Sequence, residues 1–395
     1  MTIKKAAAIG GGVIGGGWIA RLALNGHDVT VFDPHPEAKR KVDEVMKNAR
    51  RAYKRMATKG LPKEGKITYA KSIAEAVAGA DFIQESVPER LDVKLKTLAE
   101  IEAAAPKDAL IGSSTSGFKA TDMAKDMKHP ERFLVAHPFN PVYLLPINEL
   151  VPGEKTGKVF VERAREAYTS IGMKCVVINR EIDAFVGNRL LEAAWREALW
   201  LIKDGICTVE ELDDIMRYGF GLRWAQMGMF QTYRIAGGEA GMRHFMAQFG
   251  PALKWPWTKL MDTPEFNDEL VDMVAGQSDD QSSRWSIREL ERIRDDNLVG
   301  IMEALAVAEK GKGWGAGELH KDYVKRLGAG AAKKKPGVVS RVAKAAGKAA
   351  KAVKGAVTRG KTKAASKTAA KPAAKKVTTN KPARKVGKTR KTLRG

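Results

Sequence analysis

Six residues near the start of the chain, Gly10-Gly11-Gly12-Val13-Ile14-Gly15, restrict the fold more than any other feature of the sequence. They follow a short apolar run, Ala6–Ile9, and lead into Trp18-Ile19-Ala20-Arg21-Leu22, which reads as helix. A G-x-G-x-x-G turn between strand and helix is the phosphate-binding corner of a dinucleotide fold. Gly10 makes the tight turn, Gly12 lets the backbone approach a pyrophosphate, and Gly15 lets helix and strand pack closely. Val13 and Ile14 open the helix, where N–H groups without intrahelical partners can donate to a phosphate. A second run, Val29–Phe32, ends in Asp33. Its carboxylate suits the hydroxyls of an adenosine ribose and repels a 2′-phosphate, so NAD is expected rather than NADP. FAD shares the fingerprint and is the alternative.

The pattern continues to about Asp183. Short β-branched runs (Ile67–Tyr69, Phe82–Ile83, Ala109–Ile111, Phe133–Ala136, Cys175–Ile178) alternate with helical stretches such as Pro36–Met56 and Val93–Ala104. Such alternation predicts an α/β fold, a doubly wound Rossmann-type parallel sheet, over residues 1–183. Residues 184–330 read as all-helical. Phe185–Asp204 carries apolar residues at helical spacing, Thr208 with Glu210-Glu211 reads as a capped helix start running toward Tyr218, and Ser286–Val307 reads as a further helix. Seven of the eight tryptophans fall here, and the segment is expected to hold substrate and to form a homodimer.

The net charge of +23 points toward polyanions until its location is considered. Residues 331–395 hold 22 Lys and Arg and no acid, leaving 47 basic against 46 acidic residues in the body. That tail, with repeats such as Lys344-Ala-Ala-Gly-Lys348-Ala-Ala-Lys351, has no aromatic residue and is expected to be disordered. It resembles linker-histone tails. Non-specific association with nucleic acid or another polyanion is therefore a second class of function, without base stacking. Cys175 and Cys207 sit in apolar sequence and read as small buried hydrophobes. No apolar run is long enough to span a membrane and no secretion signal is recognised, so a cytoplasmic home is expected. No metal site is expected.

Hydride transfer from an alcohol to NAD needs a base for the hydroxyl proton. His27, His35 and His129 sit in apparent turns, His320 lies near the tail, and His244 falls in the helical part. His137 ends the run Phe133–Ala136, and strand ends at the carboxyl edge of a parallel sheet are where ligands bind.

Four segments together resemble the signatures of the 3-hydroxyacyl-CoA dehydrogenase family. They are Ala136-His137-Pro138-Phe139-Asn140-Pro141-Val142 with Glu149 twelve residues after His137; Ser113-Ser114-Thr115-Ser116; Gln84-Glu85-Ser86-Val87-Pro88-Glu89; and Phe185-Val186-Gly187-Asn188-Arg189-Leu190. The resemblance covers residues 4 to 325. It implies that His137 is the general base and that Glu149 orients it. Ser116 and Asn188 would hold the substrate oxygen, and Glu89 and Lys94 would contact the nicotinamide half of NAD. Gly117 departs from the second serine usual in fatty-acid members. The helical part adds Tyr218, Arg223, Trp224, Phe230, Arg243, His244, Lys254, Trp255 and Trp257. In this it is similar to the branch of the family that oxidises L-carnitine. Aromatic faces bind a quaternary ammonium by cation–π attraction and an arginine pairs with a carboxylate. Phe139, Trp224, Phe230, Arg223 and Arg243 are the substrate candidates that follow. A 3-hydroxyacyl-CoA or L-gulonate substrate is the alternative.

Overall fold

The computed structural model describes residues 2–332 except 58, 226–227, 238, 240, 250–257, 259–264, 266 and 308–314. The first part is built from β1 (Ala6–Ile9), α1 (Val13–Leu24), β2 (Val29–Phe32), α2 (Ala38–Met56), β3 (Ile67–Tyr69), α3 (Ile73–Val77) and β4 (Phe82–Glu85). It continues through α4 (Leu91–Ala104), β5 (Leu110–Ser113), α5 (Ala120–Met123), β6 (Phe133–Pro138), β7 (Ile147–Pro152), α6 (Lys158–Ser170) and β8 (Lys174–Val177). Eight strands form one sheet in the order β3-β2-β1-β4-β5-β6-β7-β8. All neighbours are parallel except β6 and β7. The order reverses between β1 and β4, and the crevice at their carboxyl ends is where such sheets bind dinucleotides.

The inner strands are buried on both faces, which is why they read as continuous apolar runs. Two apolar clusters cover the sheet. One packs α1, α2 and α6 around Trp18, Tyr53 and Tyr168; the other packs α3 to α5 around Ile83, Ile101 and Phe133. In α2, Val42, Met46, Ala49, Tyr53 and Met56 repeat every three or four residues and form one buried stripe.

Helices follow: α7 (Gly187–Lys203), α8 (Val209–Asp214), α9 (Gly221–Trp224), α10 (Met229–Ala236), α11 (Gly241–Phe249), α12 (Asp268–Ser282), α13 (Ile287–Val307) and α14 (Gly315–Ala332). Thr208 caps α8 in a reciprocal box with Glu211, as the sequence predicts. Val299 and Met302 of α13 and Tyr323 and Leu327 of α14 pack into the α1–α2 core. Among the described residues, no helix is long and apolar enough to cross a membrane.

The structure departs from sequence expectation in three places. Ile147–Pro152 is a strand, although Asn148 and Glu149 interrupt its apolar character. Helix α14 runs through Gly328 to Ala332, past the start of the composition change at 331, because Gly328 and Gly330 pack against Lys59 and Pro62. Cys175 and Cys207 are half-buried rather than core; β8 is an edge strand, and burial still pushes the Cys175 thiol up to about 11. Residues 333–395, with the expected disorder of the tail, lie outside the described residues, as do Lys254, Trp255 and Trp257.

Candidate active site

The glycine turn forms as its spacing demands. Gly10 has φ +101°, and a Cβ there would lie 2.4 Å from the Ser86 carbonyl oxygen. At Gly15 a Cβ would lie 2.0 Å from the Gly10 oxygen. Only glycine permits that approach. Gly12 caps α1 with nothing within 4 Å of its Cβ position, leaving room beside the first turn of the helix. Asp33 follows β2 directly, and its carboxylate accepts from Gly11 N at 2.6 Å and His35 N at 2.8 Å. Each of its oxygens keeps a lone pair for a ribose hydroxyl. A cleft of about 1030 Å³ is lined by these groups together with Gly12 to Ile14, Ser86, Val87 and Lys96. Beneath the loop, the Ser114 hydroxyl gathers Trp18 Nε1 at 3.0 Å, Gln84 Nε2 at 2.8 Å and Ser86 Oγ at 2.9 Å. These groups fit a dinucleotide.

The second centre lies on the strand reversal. In the antiparallel register His137 of β6 stands directly opposite Glu149 of β7. Cross-strand partners share a face, so the two buried side chains meet, with His137 Nδ1 2.9 Å from Glu149 Oε2. The twelve-residue spacing is thus the length of a hairpin. The other Glu149 oxygen accepts from Val186 N at 3.2 Å and Gly187 N at 3.0 Å, at the start of α7. A carboxylate is favoured at a helix N-terminus. The chain turns into that position through Ala184 (φ 59°) and Phe185 (φ 53°), both left-handed. Non-glycine residues pay for such a conformation with roughly 1–3 kcal/mol. Phe139 and Phe185 cover the imidazole at centroid distances of 5.4 and 5.5 Å.

Ser116, exposed at the mouth, is held through its backbone. Its N–H donates to Glu89 Oε1 at 2.8 Å, and its carbonyl accepts from Asn188 Nδ2 at 2.9 Å. Glu89 Oε1 also accepts from Thr115 Oγ1 at 2.5 Å and Gly117 N at 3.1 Å. Lys94, buried, lies 3.0 Å from Glu85 and 3.3 Å from Glu89. Burial would raise the Glu89 carboxyl, but the Thr115 hydroxyl, the Lys94 ammonium and the Ser116 N–H together hold it below its ordinary value.

The structure therefore gathers His137, Glu149 and Phe139 in one cluster and Ser116, Asn188, Glu89 and Lys94 in another, linked where Asn188 follows Gly187. Glu85 is a further member that no sequence rule assigns; it binds Lys94 and accepts from Val87 N and the Ser113 hydroxyl. Arg223 and Arg243 are exposed. Trp224 and Phe230 are 42% and 76% exposed, with Trp224 tilted on Phe220 at 4.7 Å. Among the described residues, no ring contact or hydrogen bond joins these four to the His137 cluster.

Two family models match the chain. The 3-hydroxyacyl-CoA dehydrogenase NAD-binding domain covers residues 5–182, and the C-terminal domain of the same family covers 185–269. The chain belongs to the 3-hydroxyacyl-CoA dehydrogenase family. As a family member it is an NAD-dependent dehydrogenase. It is 75% identical over 333 residues to the L-carnitine dehydrogenase of Mesorhizobium japonicum, spanning 84% of this chain and 92% of that one. The L-carnitine dehydrogenase of Pseudomonas putida is 48% identical over 311 residues, 79% of this chain and 97% of that one. The solved NAD+-dependent 5-formyl-3-hydroxy-2-methylpyridine 4-carboxylic acid 5-dehydrogenase superposes with a TM-score of 0.65 at 27% identity. That match covers 78% of this chain and all of the other.

Proposed function

We propose that this dehydrogenase oxidises the 3-hydroxyl of L-carnitine to 3-dehydrocarnitine, with His137 as general base and Glu149 as the group that orients it. The observation that carries the mechanism is the His137–Glu149 pair, held at 2.9 Å across one strand register with the far carboxylate oxygen on two backbone N–H groups. Nδ1 is committed to Glu149, so Nε2 is the nitrogen that takes the hydroxyl proton. Glu149 then stabilises the imidazolium that forms. Ser116 would hold the substrate oxygen, and its backbone is fixed by Asn188 and Glu89. NAD, when bound, would supply the acceptor for the hydride that leaves the carbon bearing the hydroxyl. Gly10, Gly12 and Gly15, with the N–H groups of Val13 and Ile14, would hold its pyrophosphate, and Asp33 the adenosine ribose.

The choice of L-carnitine is supported by the names of the relatives and by the chemistry of the helical part. The quaternary ammonium needs aromatic faces and the carboxylate a cation; Phe139 lies on the His137 imidazole, whereas Trp224, Phe230, Arg223 and Arg243 are candidates by residue type alone. Steady-state rates with L-carnitine, L-gulonate and acetoacetyl-CoA test this. Absence of turnover with L-carnitine while either alternative reacts removes the substrate assignment.

The same reading divides the body into a cofactor part, 1–183, and a helical part, 184–330. Leu190, Leu191, Trp195, Leu222, Ile235 and Met246 are large, apolar and exposed on the helical part, which favours a homodimer there. Sedimentation checks it; a monomer at micromolar concentration contradicts it. The basic segment 331–395 supports a second, separable role in binding nucleic acid through counterion release. Removing residues 333–395 is expected to abolish DNA retention and leave turnover intact; retained DNA binding overturns that role.

A further inference from the structure

The eight residues 139–146 join the strand that carries His137 to the strand that carries Glu149. Three groups from outside the hairpin hold this connection. Gly17 of α1 packs so closely that a Cβ there would lie 2.8 Å from Val142 Cβ. Arg21, one turn further and fully buried, donates to the carbonyls of Val142 at 2.7 Å, Leu145 at 3.1 Å and Ile171 at 3.0 Å. The third group comes from the far end of the chain. Tyr143, itself buried, donates its hydroxyl to Asp295 Oδ2 of α13 at 2.6 Å. Asp295 is fully buried, and its other oxygen accepts from Arg294 Nε at 3.1 Å and Nη2 at 2.9 Å.

Both family models end by residue 269, so α13 lies outside them. A carboxylate at zero exposure carries a large desolvation cost and is retained only where partners satisfy it. Here the partners are one adjacent guanidinium and one phenol on the catalytic hairpin. Desolvation and the neighbouring Asp295 hold the Tyr143 hydroxyl well above the ordinary phenol range, so it remains the donor.

We propose that Asp295, acting through Tyr143, is a positioning residue for the reaction: it fixes where the β6–β7 connection stands and so how His137 is presented. The route is short. Tyr143 is four residues from Phe139, whose ring packs on the imidazole, and four from Ile147, which begins the strand bearing Glu149. The inference rests on His137 being the base.

The test uses full-length protein with Tyr143→Phe, Asp295→Asn and, as reference, His137→Ala. Turnover is followed in both directions, as L-carnitine oxidation with NAD and as acetoacetyl-CoA reduction with NADH, so that a wrong substrate still leaves a working assay. NADH binding is measured separately by fluorescence. Tyr143→Phe is expected to lower kcat about 10- to 100-fold, the range that a displacement of about 1 Å produces, with NADH affinity and KM within about two-fold of wild type. In Asp295→Asn the amide oxygen stays on the two Arg294 donors and the NH2 faces the Tyr143 hydroxyl, which must turn to accept it, so the contact is kept with reversed polarity and kcat should be intermediate. A Tyr143→Phe enzyme with a lower melting temperature but wild-type kcat overturns the proposal. So does parallel loss of kcat and NADH affinity, which marks a general packing defect. If His137→Ala itself turns over normally, the base assignment fails instead, and this inference falls with it.

Discussion

Replacing Glu149 with glutamine exchanges one oxygen for an amide nitrogen and leaves the side-chain shape intact. The structure dictates which atom changes role. The position of Oε1 faces two backbone donors, Val186 N and Gly187 N, so it must remain an oxygen. The new NH2 group is then forced toward His137 Nδ1. Nδ1 must become the acceptor, and the ring proton moves to Nε2, the nitrogen that should receive the substrate proton. The counter-charge disappears as well. At the 2.9 Å separation of the pair and an effective dielectric of about 20, that attraction is about 5–6 kcal/mol. At about 1.4 kcal/mol per decade, losing most of it lowers kcat by about 10³- to 10⁴-fold. The assay is steady-state NADH formation with saturating substrate, beside NADH binding by fluorescence, which should be unchanged. A Glu149→Gln enzyme within about ten-fold of wild-type kcat would refute both the tautomer argument and the role of the charge.

Three further outcomes follow from the same geometry. A Cβ at Gly187 would lie 2.2 Å from Phe139 Cζ and 3.0 Å from Glu149 Oε2, so Gly187→Ala should lower kcat by about 10- to 100-fold through displacement of the pair; unchanged turnover would show that the ring yields freely. Glu89 is held below its ordinary carboxyl value of 4.5, so the stability it contributes is present above that pH and is lost as pH falls through its folded value. The difference in melting temperature between wild type and Glu89→Gln should therefore be constant in neutral buffer and shrink below pH 4.5; a difference that grows on acidification contradicts the sign. Asn148 is fully buried with neither amide atom bonded, so Asn148→Leu should raise stability by about 1–2 kcal/mol in urea unfolding. A loss of stability would mean that buried water satisfies the amide.

The cofactor half of the site is legible in the sequence because its rules are local. A turn that admits no Cβ requires glycine, and a strand of four residues places Asp33 beside it. His137 is legible as a strand end. Glu149 is not legible by local rules, because its strand contains Asn148 and Glu149 and lacks clean alternation; the sheet buries both faces of that strand and overrides propensity. Ala184 and Phe185 carry no signature of a left-handed turn at all. The polar partners of Glu149 exist only once α7 is in place. Tyr143 and Asp295 are 152 residues apart, and neither residue type announces the contact. The aromatic residues of α9 and α10 show the opposite limit. Their abundance is visible in sequence, but whether a tryptophan meets ligand, solvent or another subunit is decided by tertiary placement.

The left-handed pair at 184–185 has a mechanical consequence. It is the joint through which the helical part leaves the sheet, and the two N–H groups immediately beyond it anchor the carboxylate behind His137. Any swing of α7 about this joint withdraws those donors and frees Glu149 to turn from the imidazole. The seat of the Glu149 carboxylate is therefore set by where α7 begins as much as by the strand that carries it.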